Sequence, residues 1–199
     1  FNKTHFRDGS LHELMIGTLN IDLEGYRPAA VFLNGDYFGV HNIREKISEY
    51  YPAENHGVNP DSLDLLEEDS IVLAGNFNAF NAMHAFITGN NMAMKSNFDA
   101  AAAMIDTESL CDYYIGETYL SNIDWPYNNM KYWKSYKPGS RWRYILMDLD
   151  VSLGTNGWAP ASFDVLGRVM GSYGDTNRHV QIFRSLLQNF DYKEYFINR

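Results

Sequence analysis

The chain has 199 residues, a formal charge of −9, and 45% hydrophobic and 15% aromatic side chains, which is enough material for one domain with a substantial core. The acidic balance disfavours a general nucleic-acid binder, which presents a basic face to phosphate. No apolar run approaches the ~20 residues of a membrane-spanning helix, and Cys111, the single cysteine, excludes intramolecular disulfides and multi-cysteine zinc sites. No signal peptide or lipidation box is visible. The abrupt ends, Phe1 and FINR, read as those of an excised segment, truncated at both ends.

Ser10-Leu-His-Glu13 fits a capping box, and Leu11, Leu14, Met15 and Leu19 follow at helical spacing, predicting a helix over about 9–19. In RPAAVFLNGDYFGVHNIREK, Val31 to Leu33 fill a strand, Asn34-Gly35 is a strong hairpin signal, and Tyr37 to Ile43 form the return strand. A short helix is predicted from Arg44 or Glu45 to Tyr51, before Pro52, and residues 52–70 read as loop. Phe77, Phe80, His84 and Ile87 share one helical face, and further helices are expected over 97–105 and 108–121. Strands over 129–135 and 141–147 are joined by the turn Lys137-Pro138-Gly139. The chain then reads as irregular to about 177, and a final amphipathic helix carries Phe183, Leu186, Leu187 and Phe190.

This order predicts one α+β domain over 1–199. A small strand-rich lobe (about 1–75, hairpin about 28–44) is expected over a larger, mostly helical lobe (about 76–199) holding the second hairpin at about 129–150. Trp133 and Trp142 are expected to pack across that second hairpin; a carbohydrate platform of Trp125, Trp133, Trp142 and Trp158 is the alternative. His5, His12, His41, His56, His84 and His179 are scattered and read as surface or satisfied core residues, and Cys111 as a small buried apolar one.

Two acidic stretches carry the candidate chemistry. Asp148 and Asp150 close RWRYILMDLD, and strand residues two apart point the same way, so both carboxylates face one spot if the extended geometry lasts. Two such acids repel unless a cation lies between them, and magnesium or manganese prefers oxygen ligands. In SNIDWPYNNMKYW, Asp124 and Asn129 stand five residues apart between a helix and a strand. The catalytic loop of protein kinases has this spacing: its Asp orients the substrate hydroxyl and its Asn binds a magnesium, while a second Asp further on holds the metal. Asp148 matches that second Asp.

HFRDG, YRPAAVFLNGDYFGVHNIREK, NIDWPYNNMKYW, RWRYILMDLDVSLG and IFRSLLQNFDYKEYFINR, in this order, resemble the spore coat protein H (CotH) kinase family over most of the chain. The resemblance implies a fold similar to an atypical protein kinase, binding of ATP with Mg2+ or Mn2+, and phosphorylation of Ser or Thr in secreted, cell-surface or spore-coat proteins. It makes Asp124 the catalytic acid, Asn129, Asp148 and Asp150 the metal side, and Gly154 the end of the acidic motif. It makes Glu45 the partner of a phosphate-side cation: Arg7 first, then Arg44 and Lys46. The chain shows no G-x-G-x-x-G loop and no V-A-I-K-type lysine. Two alternatives stand beside the kinase: a sugar-nucleotide glycosyltransferase using the D-x-D, and a non-catalytic kinase-like surface or adhesion module.

Overall fold

A computed structural model describes residues 6–154 and 160–199; His5 and Trp158 lie outside the described residues. Its element order is α1 (Arg7–Met15), β1 (Asp22–Leu23), β2 (Tyr26–Leu33), β3 (Asp36–Arg44), α2 (Tyr50–His56), β4 (Leu63–Glu67), β5 (Ile71–Ala74), α3 (Asn78–Gly89), α4 (Lys95–Ala102) and α5 (Thr107–Tyr119). There follow β6 (Lys131–Ser135), β7 (Arg143–Leu146), α6 (Val165–Met170), a 3₁₀ turn (Ser172–Gly174), α7 (Arg178–Leu186) and α8 (Phe190–Asn198). The architecture is α+β. A five-stranded sheet runs β1-β7-β6-β4-β5, and β2 and β3 form a separate two-stranded sheet.

The five-stranded sheet takes strands from residues 22–74 and from 131–146. β1 pairs parallel with β7; the other pairs are antiparallel. Side chains alternate across it. Leu66, Tyr132, Tyr144 and Leu146 face the main core, with Phe80 of α3, Tyr113 and Tyr114 of α5 and Phe183 of α7. Leu63, Leu65, Trp133 and Ile145 face the other way, onto Ile47 and Tyr51. Tyr114 and Phe183 stack at 3.8 Å between ring centroids, so α5 and α7 hold each other against the sheet.

Trp133 and Trp142 do not meet across the hairpin. Trp133 is in register with Arg143, Trp142 lies one residue before β7, and the two rings belong to opposite cores. The expected loop over 52–70 contains the end of α2 and the strand β4, and β5 follows it. Asp64 tolerates burial because it accepts from Asn76 N and Tyr136 Oη, each at 2.8 Å. α2 begins at Tyr50 and takes Pro52 into its first turn, where a missing N–H costs nothing. α1 starts three residues before the predicted capping box, and Ser10 lies inside it, its amide bonded to Phe6 O. The irregular stretch contains α6, capped by Asp164 on Gly167 N. The final helix is two, α8 being started afresh by Asn189, which accepts from Tyr192 N at 3.0 Å. The first hairpin forms as read: Asn34 and Gly35 take φ of 54° and 94°, the left-handed pair a tight turn requires.

Candidate functional site

α5 ends at Tyr119 and the chain reverses through Ser121 at φ 51°. Asn122, fully buried, comes next and works at both ends of its amide. Its Nδ2 donates to Glu117 Oε2 at 2.8 Å and reaches Asp148 O at 3.5 Å, while its Oδ1 faces the Asp124 amide at 3.4 Å. One side chain therefore links the main chain carrying Asp124 to the main chain carrying Asp148.

Asp124 is half-buried. Asn128 Nδ2 donates to its Oδ1 at 3.2 Å, and Asn128 N to its carbonyl at 3.3 Å, closing a turn. Trp125-Pro126 is a cis peptide. Trp125 is buried edge-on against Tyr113 and Tyr114. From outside, Arg168 Nη1 donates to Ile123 O and Asn177 Nδ2 to Pro126 O, both at 2.8 Å, and Tyr127 Oη donates to Tyr173 O. The turn is thus braced by α5 on one side and by the 163–177 region on the other.

β7 stops at Leu146, so the extended geometry does not reach the acid pair; Asp148 sits at φ 49°. Its carboxyl nevertheless interacts directly with that of Asp150. Burial, then the charge of Asp150, then that of Asp8 push Asp148 up to about 6. The loop is held from behind by α1. Asp8 Oδ1 accepts from Leu149 N at 2.7 Å. Arg7 Nη1 donates to the carbonyls of Asp150, Ser152 and Gly154 at 3.3, 3.0 and 3.1 Å. Leu153 N bonds Leu120 O at 2.7 Å, tying this loop to the end of α5. Gly154 has φ 85°, and a Cβ there would meet Ala161 N at 2.7 Å, so any other residue would be strained and would have to displace the main chain at Ala161.

Asn129 is half-buried, at φ 60°, two residues before β6. The β6–β7 ladder begins at Lys131, opposite Ile145, so Asn129 stands outside it. Arg44 Nη2 bonds Asp8 and Glu24, each at 2.6 Å. Glu45 accepts from Gly25 N at 3.1 Å and from Asn55 Nδ2 at 2.8 Å. Lys46 is exposed. The three residues that sequence reasoning missed are Asp8, Asn122 and Glu117. The first two lie one residue from Arg7 and two from Asp124 within the quoted blocks, but their partners lie 141 and 26 residues away.

Among the described residues no group of three or more His, Cys, Asp or Glu side chains is arranged to hold a metal alone. Two repelling carboxylates fit a smaller demand. Magnesium keeps several waters and is bound by one or two carboxylates together with substrate phosphates.

An α+β fold that sets a D-x-D loop beside a D-x₄-N turn defines a candidate metal and phosphate site on a mixed sheet. A family model described as CotH kinase protein matches residues 2–199, and the chain belongs to that family, which points to a kinase-like function. No curated protein matches the chain.

Proposed function

We propose that this protein is a metal-dependent atypical protein kinase that transfers the γ-phosphate of ATP to Ser or Thr of an extracytoplasmic or coat protein. The observation that supports it most is the Asn122 bridge, which sets the Asp124 turn beside the Asp148–Asp150 pair. In this reading Asp148 and Asp150, helped by Asn129, hold Mg2+ or Mn2+, and the ion, when bound, neutralises charge on the phosphates. Asp124 orients the acceptor hydroxyl and takes its proton as the phosphoryl group leaves the ADP oxygen for the acceptor oxygen. Arg7 and Arg44 act through the loop and through Asp8. Lys46, exposed beside Glu45, is the candidate for direct phosphate contact. The two segments read as lobes, about 1–75 and 76–199, both give strands to one sheet, so in this reading they hold the site as one body. Secretion or coat assembly is part of the proposal; among the described residues no helix is long and apolar enough to cross a membrane.

A second reading is a kinase-like module without transfer activity. It is favoured by one observation: Arg7, Arg44 and Glu45 already bond protein groups. Labelled γ-phosphate from ATP, offered with magnesium or manganese and generic Ser/Thr acceptors, separates the two. The kinase reading expects transfer by the parent, binding without transfer by Asp124→Ala, and neither by Asp148→Ala. Tight Mg-ATP binding by Asp148→Ala would sink it. A larger thermal shift with UDP-sugars than with ATP would move the assignment to glycosyl transfer.

A further inference from the structure

Glu117 lies in the last turn of α5 and is 0% exposed. It has no part in the mechanism above. Its Oε2 accepts from Asn122 Nδ2 at 2.8 Å, and its carbonyl accepts from Asn122 N at 3.0 Å. Asn122 is therefore gripped twice by one residue, and the same amide reaches Asp148 O and the Asp124 amide. Behind Glu117 stand Tyr113 Oη and Trp125 Nε1. They are buried and close to one another, yet neither they nor Glu117 Oε1 complete a hydrogen bond of good geometry.

Such a place cannot hold a bare carboxylate cheaply. Burial pushes the Glu117 carboxyl up to about 8; the charge of Asp148 adds to this, and the contacts with Asn122 and Tyr113 oppose it. At neutral pH the residue is mainly a neutral acid. One oxygen serves Asn122, the other faces Tyr113, and no third negative charge is placed behind Asp148 and Asp150.

We infer that Glu117 is a positioning residue: acting through Asn122 from inside the core, it fixes the Asp124 turn and the Asp148 main chain in one relative placement. Its effect on turnover rests on the phosphate-transfer reading; its effect on the two loops does not. Glu117→Gln keeps the size, the neutrality, an acceptor and a donor. Glu117→Leu keeps the bulk and removes both polar functions. Asn122→Ala removes the bridge itself and serves if the Leu variant does not fold. Met83→Ala, fully buried in α3, is the control for general destabilisation.

The direct readout is amide exchange of the metal-free protein in segments 121–125 and 147–151. Glu117→Leu and Asn122→Ala are expected to speed both segments together, about tenfold or more, with Glu117→Gln close to the parent. Binding of Mn2+ alone should weaken about tenfold in the Leu variant and recover in the Gln variant, the range seen when an outer partner of a metal site is lost. In labelled-ATP assays the Leu variant should lose kcat with KM for ATP little changed, again rescued by Gln. Loosening of only one segment, or equal loosening by Met83→Ala, overturns the positioning role. Coupled loosening in a parent that transfers no phosphate keeps the positioning role and removes the kinase reading.

Discussion

Asp148→Asn should make the metal-free protein more stable at neutral pH while abolishing its response to magnesium. In the folded chain Asp148 is raised from an ordinary 3.8 to about 6. A raised carboxylate binds more protons folded than unfolded between those two values. Its stabilising contribution is therefore complete below about pH 4 and is lost as pH climbs through about 6. The full difference corresponds to roughly 3 kcal/mol; with the side chain only half-buried, about 1–2 kcal/mol is expected. Asn cannot ionise and still offers an N–H to Asp150. The main-chain bonds around it, Asn122 on Asp148 O and Leu149 N on Asp8, do not involve the replaced group. Urea denaturation of both proteins in chelator, below about pH 4 and above about pH 7, measures the difference. The parent should lose the extra stability on going to the higher pH, and Asp148→Asn should not. Magnesium should then raise the parent and leave the variant unchanged. Equal stabilities at neutral pH in chelator, with equal responses to magnesium, would refute the reasoning.

Arg7→Ala leaves three loop carbonyls without their donor and should cost about 1–3 kcal/mol, with faster amide exchange confined to residues 149–154 by mass spectrometry. Gly154→Ala should be destabilising by more than about 1 kcal/mol in urea melts, since φ 85° and the Ala161 amide both reject a Cβ. Phe183→Ala removes a fully buried ring stacked on Tyr114 and should lower thermal stability by about 3–5 kcal/mol.

What could be read from the sequence was local. Asn34-Gly35 between two apolar runs gives its hairpin because the turn chemistry is in the dipeptide itself. The helices near 78–89 and 107–119 follow from apolar spacing, the second with Asp106 accepting from Ser109 N as its cap. Residues 63–74 were not legible. Leu63-Asp-Leu-Leu-Glu67 is surrounded by acids and looks solvated, and only Asn76 and Tyr136, the latter 72 residues away, make Asp64 acceptable inside. The tryptophan pair failed for a related reason: Trp142 precedes its strand and turns to the helical core, a choice set by tertiary packing.

The site divides the same way. Asp124, Asn129, Asp148 and Asp150 could be picked out as candidates because their spacing matches that of a kinase catalytic loop and its metal-binding Asp. The placement of the Asp124 turn and of the Asp148–Asp150 loop rests on bonds of Asn122, Glu117, Arg7 and Asp8, which join distant segments and leave no periodic mark. Even the acid pair meets differently from expectation. The strand has already ended and Asp148 is left-handed, so the two carboxyls interact without a continuing pleat.

Calorimetric titration of Mn2+ with ATP into the parent, Asp148→Ala and Asp124→Ala asks directly whether the carboxylate pair is a metal-nucleotide site. Saturable binding is expected of the parent, retained by Asp124→Ala and lost by Asp148→Ala. Binding that survives in Asp148→Ala, or a parent that takes up neither ion nor nucleotide, would contradict that assignment.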